Sequence, residues 1–228
     1  ITVSNLNKKK IIDLNIANES KLKNIYSGID LKLFTDKKNN EFRKELNLKS
    51  RHILLGSVGR LSFQKDPITM INAFDIVSKR FSNAHLVLVG DGELRSDIAH
   101  RIDQLQLNDK VHLTGNKNNP WKIYHSLDLF IMSSIYEGLG RSITEALSCG
   151  VPVVCTSVEG VPEIVRDNKT GILVPPKDVI ALADGVIKSL NNMEASKKMA
   201  RKGRKFVNDN FDVNKMVRDI DALYDRQL

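Results

Sequence analysis

Acidic and cationic side chains recur beside glycine turns in the middle of the sequence. Glu137 and Glu145 lie eight positions apart in the stretch SSIYEGLGRSITEALSCGVPVV, and Arg60 and Lys65 follow Gly59 in GRLSFQKDP. A glycine turn with two cations before a helix is a typical site for two phosphoryl groups. Carboxylates nearby can accept hydrogen bonds from hydroxyl groups. These residues therefore predict an elongated ligand that carries both phosphates and hydroxyls.

The same residues also have purely structural interpretations. Loop cations are often only solvated, and Ser142-x-x-Glu145 matches a capping box, in which the two side chains satisfy free N–H groups at a helix start. No comparable structural role is evident for the carboxylate of Glu137, which lies beside a glycine loop. Residues 90–92 hold a partial dinucleotide fingerprint, because Arg95 stands where its last glycine would be. They are also typical of a tight turn.

The composition is that of an ordinary globular protein. Its 228 residues are 41% hydrophobic and 27% charged, and no apolar run approaches the roughly 20 residues that cross a bilayer. Cys149 and Cys155 make no disulfide framework and are expected as small core residues in a reducing cytosol. Aromatic residues make up only 6% and do not interleave with the basic runs, so nucleic acid is not an expected partner.

The net charge of +8 is unevenly distributed along the chain. Residues 1–51 contain 12 lysines and arginines against 6 aspartates and glutamates, and a second basic run, 197–205, lies on a late helix. Such charge suits a phosphorylated substrate or an anionic membrane, although a solvated helix face also explains the late run. We expect a cytoplasmic protein. Its basic surface would also allow a peripheral contact with the inner face of the membrane.

Short apolar runs alternate with amphipathic helical patterns through the middle of the chain. This alternation predicts an α/β domain with a Rossmann-like, doubly wound parallel sheet of about six strands. Three helical segments follow between residues 178 and 228. Ligands of such sheets bind at the carboxyl ends of the strands, which is where the candidate residues lie. The six predicted strands are 52–59, 85–90, 111–115, 127–134, 152–157 and 171–176.

Residues 1–30 differ from the remainder of the chain. They contain one expected short strand (1–5), a lysine-rich helix and the turn 23–30, which are too little for a domain. Because Ile1 is not an initiator methionine, we expect this segment to be a remnant of a preceding domain with its connection. Residues 31–228 then form a C-terminal Rossmann-like domain.

The order of the motifs resembles one enzyme family. The chain contains NIYSGID, GRLSFQK, VGDGELR, VHLTGN, EGLGRSITEALSCGVPVV, GVPEIV and GILVPP in this order. The series is similar to the retaining glycosyltransferases of the GT-B fold, family 4 branch, and covers nearly the whole chain. Glu137 and Glu145 match that family's E-x7-E motif. The resemblance implies that residues 31–228 are the C-terminal, nucleotide-sugar-binding domain of a two-domain enzyme.

The resemblance also implies residue roles. Arg60 and Lys65 would hold the donor diphosphate and stabilise the leaving nucleotide. Glu145 would accept hydrogen bonds from ribose hydroxyls, and Glu137 would contact hydroxyls of the transferred sugar. Leu139 stands where the family usually has phenylalanine, which leaves donor preference and loop shape open. The other implied substrate-binding residues, which touch phosphate or form a wall for the base, are Gly59, Gly138, Gly140, Arg141, Ser142, Gly115 and Asn116.

The implied reaction transfers a hexose-type sugar, with retention, from a UDP- or GDP-linked donor to an acceptor hydroxyl. The acceptor would be a sugar, a lipid-linked sugar or a protein, in polysaccharide or glycolipid biosynthesis. No cofactor is expected beyond the donor substrate. No metal is expected either, because the five histidines lack ligand spacing and Asp219-Ile220-Asp221 suits a polar helix face. The isolated chain is expected to be inactive without its N-terminal domain.

Three other functions remain open at this point. A nicotinamide-dependent oxidoreductase would need the complete glycine fingerprint, which this sequence lacks. A GT-B-fold sugar-nucleotide epimerase would share the architecture without the E-x7-E pattern. A non-catalytic nucleotide-sugar-binding module would keep Arg60 and Lys65 but have no catalytic partner domain.

Overall fold

Six parallel strands form the centre of the structure. The computed structural model describes residues 1–225, and it confirms the predicted α/β, doubly wound sheet. Each of the six predicted strands is present, with ends that differ from the expected ones by at most a few residues. They are β1 (Ile53–Val58), β2 (Ala84–Val89), β3 (Val111–Gly115), β4 (Leu129–Met132), β5 (Val153–Thr156) and β6 (Ile172–Val174).

The strand order creates the crevice in which the candidate residues lie. The strands follow one another across the sheet as β3-β2-β1-β4-β5-β6, so the order reverses between β1 and β4. The register there pairs Leu55 with Leu129 and Gly56 with Phe130. The loops that leave β1 and β4 turn to opposite faces, and a gap opens between them at the carboxyl ends of the strands.

Helices cover both faces, as strands that are apolar on both sides require. On one face, Phe74 of α3 and Ile98 of α4 belong to a buried cluster that also includes side chains of α8. On the other face, Tyr124 of α5 and Leu147 of α6 belong to a second cluster, and α9 packs against α6. The helices are α1 (Asn5–Asp13), α2 (Glu41–Glu45), α3 (Pro67–Arg80), α4 (Arg95–Gln104), α5 (Pro120–Tyr124), α6 (Arg141–Ser148), α7 (Val161–Ile164), α8 (Val179–Asn191), α9 (Met193–Asn210) and α10 (Val213–Tyr224).

The first residues contain the predicted lysine-rich helix, α1, but the predicted strand at 1–5 is wrong. Thr2 makes only an isolated bridge to Asn24. The reason is that Ser4 caps α1, its hydroxyl accepting the N–H of Asn7 at 3.1 Å, so the helix begins before a strand can extend. Residues 1–30 also contact the C-terminal helices, since the Ile29 N–H donates to the Phe211 carbonyl at 2.8 Å.

The two cysteines lie in the core, as expected. Cys149 and Cys155 are both buried with free thiols. Burial raises the pKa of the Cys149 thiol to about 12 and raises that of Cys155 as well. Both thiols are therefore protonated near neutral pH and act as small apolar side chains. Among residues 1–225, no helix combines the length and apolar composition needed to cross a membrane.

Candidate active site

A small pocket occupies the gap between β1 and β4. Its volume is about 20 Å³, which is room for one water-sized group, so a larger ligand would lie across its mouth. Gly59, Arg60, Lys65 and Ser142 line it together, which places four predicted site residues in one place. Ser133 and Ser134, which follow β4, add two further hydroxyl groups to the lining.

The cation Lys65 is held by the neighbouring strand. It ends a 3₁₀ turn, Phe63–Lys65, that the sequence did not predict. The hydroxyl of Ser133, fully buried after β4, lies 2.8 Å from the carbonyl oxygens of both Lys65 and Asp66. The Ile135 N–H donates to the Gln64 carbonyl at 2.8 Å. The loops after β1 and β4 are therefore tied together by hydrogen bonds.

Lys65 and Glu137 form an ion pair in this structure. The Glu137 carboxylate is almost fully buried, at 6% exposure, and also accepts a hydrogen bond from the Ser134 hydroxyl at 2.8 Å. The Glu137 N–H donates to the Glu159 carboxylate at 3.0 Å, and Lys10 of α1 pairs with the same carboxylate at 3.2 Å. The acid assigned to the transferred sugar is thus in direct contact with a cation assigned to the diphosphate.

Helix α6 begins with an uncapped amino end beside the pocket that Arg60 and Lys65 line. Gly140 is its first flanking residue, with φ of 92° and ψ of 59°, and no side chain in the described part of the chain caps this end. The capping-box interpretation is therefore wrong, because Ser142 lies inside the helix and Glu145 lies in its second turn. The Arg141 and Ser142 N–H groups remain available for an anion.

The start of α3 is different, although the sequence suggested that it too would face a phosphate. Asp66 precedes Pro67 in a left-handed conformation, and its carboxylate accepts the Thr69 N–H at 3.2 Å. Proline contributes no N–H of its own. This end of α3 carries a carboxylate instead of free donors, so the anion-binding donors belong to α6.

Glu145 is buried on the side of α6 that faces α5. Its Oε2 accepts the Tyr124 hydroxyl at 2.8 Å, and its Oε1 lies 3.2 Å from Arg141 Nε. Burial raises the pKa of the Glu145 carboxyl, and the contacts with Tyr124 and Arg141 oppose this change. Glu145 does not line the small pocket. It lies one helical turn beyond the free N–H groups.

The remaining predicted residues lie around these groups. Gly138 follows Glu137, and its carbonyl accepts the Asn7 side-chain amide at 3.2 Å, so α1 contacts the glycine loop. Gly115 ends the edge strand β3 and Asn116 follows it, and neither residue lines the pocket. The Gly115 carbonyl accepts the Gly90 N–H at 2.9 Å. Their assignment as a wall for the base remains a prediction.

The partial fingerprint at residues 90–92 has a structural role. A side chain on Gly90 would place its Cβ 2.0 Å from the Gly59 carbonyl oxygen, and one on Gly92 would lie 2.4 Å from that of Leu61. The Leu61 N–H donates to the Asp91 carbonyl at 3.0 Å. The two glycines therefore let the loop after β2 pack closely against the loop that carries Arg60.

The sequence does not single out four residues of this site: Ser133, Ser134, Glu159 and Tyr124. Ser134 could have been found, since it ends the predicted strand that precedes Glu137. Glu159 and Tyr124 are 22 and 21 positions from the glutamates that they contact, so nothing local connects them. Within residues 1–225, no group of three or more His, Cys, Asp or Glu side chains has an arrangement that could hold a metal ion.

The family model for glycosyl transferases group 1 matches residues 38–206, most of the chain. The chain belongs to this family. A relative in Methanocaldococcus jannaschii, the uncharacterized glycosyltransferase MJ1607, is 31% identical over 231 residues, which cover 98% of this chain and 59% of the relative. The UDP-Gal:alpha-D-GlcNAc-diphosphoundecaprenol alpha-1,3-galactosyltransferase of Escherichia coli is 28% identical over 209 residues, which cover 90% of this chain and 54% of that enzyme.

Solved structures share the fold of this chain. Anabaena Alr3699/HepE, crystallised with UDP and glucose, superposes with a TM-score of 0.90 at 23% identity, over 98% of this chain and 62% of that one. At this identity the likeness shows the fold alone, which is the C-terminal half of the GT-B architecture. The chain spans little more than half the length of the relatives described above.

Proposed function

We propose that this chain is the donor-binding part of a retaining, metal-independent glycosyltransferase. The observation that carries the proposal is the convergence of Arg60, Lys65 and the free N-terminus of α6 at the gap between β1 and β4. Two cations and aligned N–H groups at a switch point favour a diphosphate. These groups can neutralise the charge of the diphosphate, a role that a divalent metal ion fills in metal-dependent transferases.

The site geometry suggests how bond cleavage is assisted. As the bond between the sugar and the diphosphate breaks, negative charge grows on the phosphate oxygens and positive charge on the sugar ring. Fixed cations and N–H groups stabilise the first charge. Glu137 is buried next to Lys65, which supports a role for its carboxylate as acceptor of hydrogen bonds from the sugar hydroxyls. Retention of configuration is proposed from the resemblance of Glu137 and Glu145 to the E-x7-E motif.

The ligand classes follow from the chemistry of the relatives. One structural neighbour was crystallised in complex with UDP and glucose, and the Escherichia coli relative is named for a diphosphoundecaprenol-linked sugar. We therefore propose a nucleoside-diphosphate hexose as the donor and a sugar, lipid-linked or not, as the acceptor. The exposed cations of α9, Lys197, Lys198 and Lys202, suit a peripheral contact with anionic lipid at the cytoplasmic face of a membrane.

Calorimetric titration of the chain with UDP and GDP, each with and without EDTA, tests this proposal. We expect one of the two nucleotides to bind with the same affinity in both buffers. Arg60→Ala should weaken that binding by about 1.5–3 kcal/mol, the range for hydrogen bonds to charged groups, with no change in melting temperature, because Arg60 is exposed. Binding that disappears with EDTA, or an unchanged affinity in Arg60→Ala, would contradict it.

A further inference from the structure

Tyr124 is a buried phenol next to the candidate site. It lies at the end of α5 with no exposed surface and packs against Phe34 and Phe130, with ring centroids 5.9 and 5.8 Å away. A phenylalanine would fill the same apolar space. Its hydroxyl instead donates to Glu145 Oε2 at 2.8 Å. The hydroxyl of Tyr124, in an otherwise apolar core position, therefore binds the carboxylate of Glu145.

The two partners of Glu145 differ in how firmly they are held. Tyr124 is enclosed by aromatic rings and has only two side-chain torsions, so its hydroxyl has a fixed position. Arg141 is 65% exposed and lies on the surface of α6, 3.2 Å from Oε1. A carboxylate offers about four acceptor positions. A ligand can therefore replace Arg141, or occupy the free lone pairs, while the bond to Tyr124 persists.

We propose that Tyr124 is a positioning residue, which holds the Glu145 carboxylate in the orientation that accepts the two ribose hydroxyls of the donor nucleotide. The inference rests on the proposed function and on the ribose role of Glu145 that the family resemblance implies. The hydroxyl of Tyr124 restrains rotation of the carboxylate at the end of a flexible side chain. It also favours the charged form of Glu145, which is the better acceptor.

Tyr124→Phe removes this hydroxyl and keeps the ring. We expect it to weaken binding of whichever of UDP or GDP the wild-type chain prefers by about tenfold, as loss of a charge-assisted hydrogen bond would. Losing that bond also raises the pKa of Glu145. Binding should therefore fail at a higher pH than in the wild type when the solution is acidified.

Tyr26→Phe is the matched control. The Tyr26 hydroxyl donates to the Glu163 carboxylate at 2.9 Å, so this variant also loses a tyrosine–glutamate bond. Neither Tyr26 nor Glu163 lines the pocket between β1 and β4. We expect Tyr26→Phe to change melting temperature at most, without altering the nucleotide affinity or its dependence on pH.

The 2′,3′-dideoxy form of the same nucleotide separates positioning from general packing. Tyr124→Phe should lose affinity for the nucleotide but bind the dideoxy form as well as the wild type does. Adding Tyr124→Phe to Glu145→Gln should cause little further loss. An equal loss for both ligands, or unchanged nucleotide affinity, would overturn the positioning role. Failure of the wild type to bind either nucleotide would instead overturn the proposed function.

Discussion

Lys65 and Glu137 neutralise each other in the free protein, although we assign both to the ligand. Glu137 is almost fully buried, and the Lys65 side chain is 26% exposed, so each charge depends on the other. Removing one member of such a pair leaves an uncompensated charge. A diphosphate can take the place of Glu137 as the partner of Lys65. Donor binding would then release the Glu137 carboxylate for the hydroxyls of the sugar.

Glutamine substitutions distinguish the two acids at the residue scale. Glu137→Gln frees Lys65 for the diphosphate, so we expect the affinity for UDP or GDP to equal or exceed that of the wild type. Glu145→Gln removes a charged acceptor from the ribose, and we expect about a tenfold weaker affinity. Calorimetry on both variants, with melting temperatures as the control for folding, measures the difference. Similar losses in both would show that the assignment is wrong.

Residue types at strand ends could be predicted from the sequence, but their pairing could not. Arg60 and Lys65 were expected beside a ligand because they follow an apolar strand, and the structure brings both to the pocket. The bond between Tyr124 and Glu145 joins two helices, α5 and α6, that β4 separates in the chain. The local pattern of Ser142 and Glu145 favoured a capping box. A left-handed glycine at the actual helix start replaced it.

At the scale of elements, the start of α6 depends on the backbone of Gly140. Its φ of 92° lies in the region that side chains disfavour, and an added Cβ would lie 2.8 Å from Ile143 Cδ1. We expect Gly140→Ala to lower the free energy of unfolding by about 1–2 kcal/mol, the typical cost of a left-handed residue. The shifted N–H groups of α6 should also bind nucleotide more weakly. Urea unfolding and calorimetry measure these two effects.

Gly138→Ala is the control for this prediction. Gly138 lies in the same loop, but a Cβ there would meet only side-chain atoms, Val3 Cγ2 at 3.3 Å and Asn7 Nδ2 at 3.8 Å. We expect a smaller loss of stability than in Gly140→Ala, because Val3 can move slightly and the backbone need not change. If the two variants unfold alike, the conformation of Gly140 is not what sets the start of α6.

Helices and strands could be predicted where a hydrophobic pattern extends over a long segment. The six strands appear where apolar runs predict them, and α3 and α4 lie between strands, as the alternating pattern predicts. The expected strand at 1–5 failed because Ser4 starts a helix. The 3₁₀ turn that holds Lys65 was missed because the hydroxyl of Ser133, from another strand, anchors it. Short elements are thus decided by single contacts, some of them local, as at Ser4, and some between distant residues, as at Ser133.

At the scale of the whole molecule, the sheet gathers residues that are far apart in the chain. His52, His85 and His112 stand at the amino ends of β1, β2 and β3, away from the pocket. The rings of His52 and His85 lie 4.6 Å apart between centroids, and those of His85 and His112 lie 5.4 Å apart. Their sequence spacing shows no such cluster, because it depends on parallel register across three strands.

This histidine stack should make the protein less stable in acid. Burial, together with the nearby His52 and His112, lowers the pKa of His85 to about 4. Unfolded histidine has a pKa of about 6.5, so below that pH the unfolded chain binds more protons than the folded one. The free energy of unfolding should therefore fall between about pH 6.5 and pH 4.

We expect His85→Gln to reduce this fall, measured as melting temperature against pH. His100→Gln, on the exposed side of α4, should follow the wild-type curve. An unchanged acid sensitivity in His85→Gln would mean that other groups cause it.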